Sequence, residues 1–172
     1  YSAGVAAMPG YAVERVRFAD VVPLVEGFRR IETFLAAEGV PLTAFCACEL
    51  RSPGQFTDEG FIAFNRLYVG TLERWGLFSN DRNPVARSNV CPEVDAPTEP
   101  GFHAFSFVRP AAGAAHSFVC AGSGEAQEGA GPYSEKTIRY GETAPDAMRE
   151  KACFVLGAME RRMEALGGRW TT

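Results

Sequence analysis

The alternation of apolar and polar residues along this chain has two periods, and each predicts a different kind of element. Spacings of three and four residues between apolar positions place side chains on one face of an α-helix. They predict helices over residues 22–35, 58–75 and 146–166. Short alternating or continuous apolar runs are typical of strands. They predict strands over 11–18, 43–50, 84–91, 102–109, 117–124 and 137–140.

Polar residues and glycines mark the ends of the predicted helices. The side chains of Asp20, of either Thr57 or Asp58, and of Asp146 can accept a backbone hydrogen bond at the three first turns. Gly39 and Gly76 follow the first two helices, where glycine commonly ends a helix. The resulting order, β-α-β-α-β-β-β-β-α, predicts an α+β fold in which helices pack on one face of a mixed sheet.

Composition and charge restrict the class of partner. The chain has 172 residues, 47% of them hydrophobic and 22% charged, which is enough to bury the core of one domain, or of one domain and part of another. The formal net charge of −4 and the lack of a basic cluster argue against nucleic acid as a partner. No apolar run reaches the ~20 residues of a membrane span, so we expect no membrane as a partner.

The five cysteines indicate reduced thiols rather than a disulfide framework. Their number is odd and they lie in predicted strands or helices, so we expect a cytoplasmic protein. Cys46 and Cys48 do not have the spacing of a zinc site, and His103 and His116 are the only histidines. The sequence therefore predicts no metal site and no need for a cofactor.

Arg87 is the residue that most directly indicates ligand chemistry. It follows small and apolar residues at the start of a predicted strand. Its planar guanidinium keeps its charge and matches a carboxylate with two parallel hydrogen bonds. These residues alone leave two interpretations open. Arg87 binds a small carboxylic acid, or it is an edge-strand arginine paired with a surface Asp or Glu.

Two segments together resemble the RidA family of imine deaminases. Phe61-Ile-Ala-Phe-Asn65-Arg-Leu-Tyr68 is similar to the family's helix pattern Phe-x-x-x-Asn-x-x-Tyr. Pro84-Val-Ala-Arg87-Ser88-Asn89-Val90 follows at a suitable distance and is similar to its Pro-x-Arg-Ser-x-Val strand. The resemblance covers residues 20–109 and keeps the order of three elements.

The resemblance implies a chorismate-mutase-like fold, assembled as a homotrimer or higher oligomer with ligand sites in the clefts between subunits. Arg87 would then take the position of the arginine that holds the substrate carboxylate. Asn65 matches a polar position near the family's site. Asn89 stands where the family frequently has a cysteine, so we include it among the substrate-binding candidates.

The family's water-activating glutamate has no counterpart in this sequence. The corresponding strand reads Phe102-His103-Ala104-Phe105, and His103 falls at or near that position. A neutral imidazole can accept a proton from water, so we treat His103 as a candidate catalytic base. The alternative is a strand histidine without a catalytic role. Strand alternation predicts His103 on the same face as Phe105 and Phe107.

The order of the segments departs from the family pattern. Residues 1–110 resemble a module that lacks its first hairpin, and residues 111–172 supply a strand, a hairpin and a helix. This second part either completes the sheet or begins a second half-module. The chain begins at Tyr1 rather than Met, which favours a processed or partial chain.

The second part of the chain adds three candidate substrate-binding residues. Backbone amides near Ser123 and Gly124, in a Ser-Gly turn, are candidates to stabilise developing negative charge. Tyr133 lies in a Gly-Pro-Tyr-Ser sequence that also occurs in the family, and it is a candidate cleft residue.

Together these features predict hydrolytic deamination of a small 2-imino or 2-enamino carboxylic acid to the 2-keto acid and ammonia. An aminomuconate is one such substrate. Two alternatives remain: a non-catalytic, oligomeric protein that binds a small carboxylate, and a chorismate-processing hydrolase. Fold alone does not choose among them.

Overall fold

The computed structural model describes residues 3–80, 82–129 and 131–171. The chain divides into two compact units, Tyr1–Ala121 and Gly122–Thr172. The first contains strands β1 (Gly4–Ala6), β2 (Tyr11–Pro23), β3 (Phe45–Arg51), β4 (Ala86–Val90), β5 (Gly101–Pro110) and β6 (Phe118–Cys120), and helices α1 (Leu24–Ala37) and α2 (Asp58–Arg74). A 3-10 turn at Leu42–Ala44 precedes β3. The second contains helices α3 (Tyr133–Lys136) and α4 (Pro145–Ala165).

Four strands of the first unit form one mixed sheet in the order β2-β5-β3-β4. Strand β5 runs antiparallel to both of its neighbours, whereas β3 and β4 are parallel. The parallel pair is possible because α2 returns the chain across the sheet between the two strands. Strand β4 is therefore an edge strand, and among the described residues no further strand pairs with it. The predicted α+β class with a mixed sheet is confirmed, and the chorismate-mutase-like assignment stays a prediction.

Helices α1 and α2 cover one face of this sheet, as predicted. Apolar residues of α1 at helical spacing meet four phenylalanines of β3 and β5, and α2 adds an aromatic stripe beside them. Phe28 of α1 lies at the centre, with its ring edge-on to those of Phe102 (4.9 Å between centroids) and Trp75 (5.2 Å). Edge-to-face pairs of this kind add to the stabilisation from apolar burial.

The opposite face of the sheet is only partly covered, by a two-stranded ribbon of β1 and β6. Ala47 and Ala86 pack there against Ala121, with Val5 and Val119 beside them. Alanines at these positions allow the ribbon to lie close to the sheet. Strand β6 pairs with β1 and does not join the four-stranded sheet. Whether residues 111–172 begin a second half-module stays a prediction.

Three sequence-based expectations about local structure are wrong. Residues 137–140 do not form a strand, because only Thr137 makes an isolated bridge, to Ala126. Asp20 does not cap α1, since β2 continues to Pro23 and the helix starts at Leu24. Asp146 lies within the first turn of α4 and pairs with Arg139 instead of capping it (2.7 Å). Thr57 does cap α2, and its hydroxyl accepts a hydrogen bond from the backbone amide of Gly60 (3.1 Å).

The contact between α1 and β5 depends on a glycine. A Cβ placed on Gly27 would lie 2.3 Å from Cδ2 of the fully buried Phe102, so α1 approaches the sheet only because this position has no side chain. We expect Gly27→Ala to lower the free energy of unfolding by about 1–3 kcal/mol through overpacking. Denaturant unfolding measures the change.

Gly70→Ala in α2 is the matched control, because a Cβ there meets nothing within 4 Å. We expect the free energy of unfolding of this variant to rise by up to ~1 kcal/mol, because alanine has a higher helix propensity than glycine. A Gly27→Ala variant as stable as the parent chain would contradict the packing described here.

Candidate active site

The site is built where edge strand β4 passes under α2. The side chain of Asn83 accepts a hydrogen bond from the backbone amide of Val85 (3.0 Å), which fixes the turn into the strand. Val85 and Ala86 are buried and anchor the beginning of β4. Arg87 follows directly, in register with Cys48 of β3. Burial of Val85 and Ala86 thus fixes the backbone position of Arg87, whose side chain is half-buried.

The Arg87 guanidinium is held by three residues on one face of α2. Its Nη1 donates to Oδ1 of Asn65 at 2.9 Å. Its Cζ lies 4.7 Å from the ring centroid of Tyr68 and 5.7 Å from that of Phe64. These distances fall within the range of cation–π attraction. Because Tyr68 lies one helical turn after both Phe64 and Asn65, α2 presents all three to Arg87 together.

The groups around Arg87 are polar or aromatic but uncharged. The hydroxyl of the buried Tyr68 and Sγ of Cys48 are 3.4 Å apart in a hydrogen bond. Burial raises the pKa of Cys48 to about 12 and raises the pKa of Tyr68 well above its usual value, so both groups are protonated at neutral pH. In the described part of its own unit, Arg87 has no carboxylate within ion-pair distance, whereas Arg15 is paired with Glu49 at 2.5 Å. The positive charge of Arg87 is therefore uncompensated.

The two interpretations of Arg87 that the sequence left open predict different surroundings for its guanidinium. Arg87 lies on an edge strand, but no Asp or Glu of the described first unit neutralises it. One Nη is used by Asn65, and the remaining donors of the fork stay available. The arrangement can hold a carboxylate by charge-assisted hydrogen bonds.

His103 lies on the other face of the sheet from the Arg87 guanidinium. It is the extra residue of a bulge in β5, because Glu49 pairs with Ala104 while the next residue, Leu50, pairs with Phe102. Phe102, Phe105 and Phe107 all belong to the core beneath the helices, so the predicted grouping of His103 with Phe105 and Phe107 is wrong. The bulge breaks the alternation on which that prediction rested.

The surroundings of His103 are cationic. Its pKa is lowered, first by partial burial and then by Arg51, with Glu49 acting in the opposite direction. The imidazole is therefore neutral at neutral pH. Within one chain, however, His103 and Arg87 are not brought together.

Of the other sequence-predicted residues, Asn89 follows Arg87 by two positions on β4, and the rest belong to the second unit. Asn89 is exposed, and its Oδ1 accepts a hydrogen bond from Ser52 Oγ (3.0 Å). Ser123 and Gly124 belong to the second unit, where the Ser123 hydroxyl has a long contact of 3.4 Å with the carbonyl of Gly124. Tyr133 begins α3 and is exposed, with Nζ of Lys136 5.1 Å from its ring centroid.

Sequence reasoning did not assign a site role to Tyr68, Phe64 and Cys48. The first two belong to the apolar stripe of α2 and the third to a buried strand, and apolar periodicity alone indicates core for all of them. The spacing of Phe64 and Tyr68 from Asn65 along α2 is the signal that connects these two to Arg87, whereas Cys48 is connected only by its register on β3. In the second unit, the sequence pattern did not predict the contacts of Arg162. It is largely buried, and its Nη1 donates to the carbonyl of Gly122 at 2.7 Å.

Among the residues that the structure describes, no group of three or more His, Cys, Asp or Glu side chains is placed to hold a metal ion. Nor does any helix in this part of the chain have both the length and the apolar character that crossing a membrane requires.

The protonated state of Cys48 is open to a chemical test. At pH 8 a thiol of pKa about 12 is ionised to only ~10⁻⁴, and alkylation needs the thiolate. We expect iodoacetamide to modify the exposed Cys91 and Cys153 of the folded chain while Cys48 stays unmodified. Peptide mass spectrometry measures this, and the denatured chain, in which all three should react, is the control. Equal rates at Cys48 and Cys153 would contradict the buried Cys48–Tyr68 pair.

Comparisons with known proteins identify the family to which the chain belongs. A family model described as 2-aminomuconate deaminase CnbZ matches residues 1–172. A 2-amino-5-chloromuconate deaminase from Comamonas testosteroni is 51% identical over 172 residues, covering 99% of this chain and 68% of that protein. No solved structure matches. The predicted deaminase chemistry is confirmed at the level of the family, and the chain belongs to the 2-aminomuconate deaminase CnbZ family.

Proposed function

We propose that this protein hydrolytically deaminates an aminomuconate-type substrate, with Arg87 holding the carboxylate next to the carbon that loses nitrogen. The observation that carries the proposal is the uncompensated guanidinium held between Asn65 and the Tyr68 ring. Family membership supplies the class of reaction, and the Arg87 geometry supplies a binding group for the substrate's acid.

The Arg87 site is suited to bind an anion without first giving up an ion pair. An arginine that is already paired must exchange one carboxylate for another, so little free energy is gained. Arg87 is oriented by an amide oxygen and an aromatic face, neither of which cancels its charge. Because the guanidinium is already fixed, less side-chain entropy is lost on binding than for a free surface arginine.

The reaction needs water and a proton transfer and releases ammonia. The 2-enamine tautomerises to the 2-imine when a proton is added to the carbon chain and another is lost from the amino nitrogen. Water then adds to the imine carbon, giving a tetrahedral intermediate with one hydroxyl and one amino group. The carbon–nitrogen bond breaks with proton transfer to nitrogen, and the 2-keto acid and ammonia remain. Arg87 contributes by fixing the adjacent carboxylate, so that the imine carbon is presented to water in one orientation.

We propose that the group that activates water does not belong to the Arg87 site of the same chain but comes from a neighbouring subunit. The RidA-like resemblance supports a homotrimer in which clefts between subunits complete each site, and an edge strand such as β4 has a free side that a neighbouring chain can approach. Ser123, Gly124, Tyr133 and Asn89 remain candidates for such contributions. Cytoplasmic location likewise stays a prediction.

A carboxylate-binding protein without catalytic activity would need the same Arg87 geometry. The missing family glutamate favours this second candidate. Ammonia release separates the two, because a binding protein retains carboxylate affinity without turnover.

Replacing Arg87 tests the proposed carboxylate contact. We expect Arg87→Met to lower kcat/KM for a 2-aminomuconate-type substrate by about 100-fold or more, because hydrogen bonds to charged groups contribute ~1.5–3 kcal/mol each. Ammonia release under conditions that limit spontaneous hydrolysis measures the effect. Arg149→Met, at an exposed position of α4, is the control and should keep the parent activity. Unchanged kcat/KM in a folded Arg87→Met chain would overturn the proposal.

His103 is tested separately. Since its imidazole lies on the other face of the sheet from the Arg87 guanidinium, we expect His103→Gln to change kcat by less than about 3-fold. General bases typically contribute 10²–10⁴-fold, roughly. A loss in that range would restore His103 as the base. Because its pKa is lowered, the parent chain would then show a rate that is level near pH 7 and falls only in more acidic solution.

A further inference from the structure

A row of four aromatic side chains leads from Arg87 to the surface. This aromatic row consists of Tyr68, Phe64, Phe56 and Phe61. The rings of Tyr68 and Phe64 are stacked with centroids 6.4 Å apart, and Phe56 lies 5.1 Å from Phe64 and 6.0 Å from Phe61. The first two contact the Arg87 guanidinium, so the row begins at the proposed carboxylate site.

Exposure increases along this row. Tyr68 is 0% exposed and Phe64 8%, whereas Phe61 is 39% exposed. Phe61 is thus the member that a ligand can touch. It lies four residues before Asn65 on α2, and residues at this spacing are neighbours on a helix surface, with Cβ atoms about 5–6 Å apart. Phe61 and Asn65 therefore form adjacent parts of one surface, and Asn65 contacts Arg87.

We propose that Phe61 determines specificity for a planar, conjugated carbon chain. The inference rests on the proposed function, because it assumes that a substrate carboxylate is bound at Arg87. An extended chain spans ~3.3–3.6 Å for every three bonds, so the five bonds of a six-carbon chain span roughly 6 Å. A dienedioate anchored at Arg87 and Asn65 is then long enough to lie over the ring of Phe61.

A flat conjugated chain and a saturated chain differ most at an aromatic surface. The diene presents a π-face that stacks on a ring in one orientation, whereas a saturated chain of the same length is flexible and not planar. The ring of Phe61 lies against that of Phe56, with centroids 6.0 Å apart, and this contact supports it on the helix surface. An aromatic ring next to the carboxylate site favours the conjugated acid over its saturated analogue.

The test uses two dicarboxylates of equal length and charge, trans,trans-muconate and adipate. Calorimetry on the full chain measures the dissociation constant of each acid. The ratio of the adipate constant to the muconate constant is the muconate preference. We expect Phe61→Ala to lower this preference by about 5- to 10-fold, mainly by weakening muconate, and Phe61→Tyr to keep it because the ring remains. Leu67→Ala is the control, since Leu67 is an exposed apolar residue of α2 that does not share the Asn65 face.

Each outcome is decisive for Phe61. An unchanged preference in Phe61→Ala, or equal weakening of both acids, would overturn the role assigned to Phe61. The proposed function is tested independently in the same series, because Arg87→Met should weaken both acids to a similar extent. If Arg87→Met weakens the binding of both acids but Phe61→Ala keeps the muconate preference, the proposed function stands and only the role of Phe61 is rejected.

Discussion

The charge of Arg87 is the constraint on which the proposed site depends. A guanidinium that is half-buried costs free energy unless its donors and charge are satisfied. Here the guanidinium is stabilised by a hydrogen bond to the amide oxygen of Asn65 and by cation–π contacts with two aromatic rings, rather than by a carboxylate. Other arginines of the same unit follow the common pattern, such as Arg29 with Glu26 at 2.6 Å. Arg87 is stabilised well enough to remain in place, and its charge remains available to a ligand.

The support for Arg87 extends into the core beneath it. Tyr68 is fully buried, and its hydroxyl is engaged with Cys48, the residue in register with Arg87 on the neighbouring strand. Both groups keep their protons because burial disfavours their ionised forms. A thiolate or phenolate at either position would neutralise the guanidinium from below. The apolar core thus acts on the site electrostatically, by keeping its nearest ionisable groups neutral.

Sequence patterns predicted the helices of the first unit well, because amphipathic spacing and caps such as Thr57 act locally. The family resemblance made Arg87 and Asn65 candidates, and the structure brings their side chains within 2.9 Å, although their role stays a prediction. Sequence patterns failed where tertiary pairing overrides alternation. The bulge at His103 adds one residue to β5, so Phe102 rather than His103 shares a face with Phe105 and Phe107. Nor does local pattern show that the short strand β1 pairs with β6, more than 100 residues away.

The apolar stripe of α2 shows why periodicity could not separate core from site. Residues Phe61, Phe64 and Tyr68 share helical spacing, and periodicity assigns them equally to the core. In the structure the stripe changes its environment along its length, from complete burial at Tyr68 to 39% exposure at Phe61. The buried end orients Arg87, and the exposed end is available to a ligand. The aromatic row therefore has two roles: its buried end packs against the Arg87 guanidinium, and its exposed end is the proposed contact for the substrate. The two ends are equally hydrophobic, and what distinguishes them is burial.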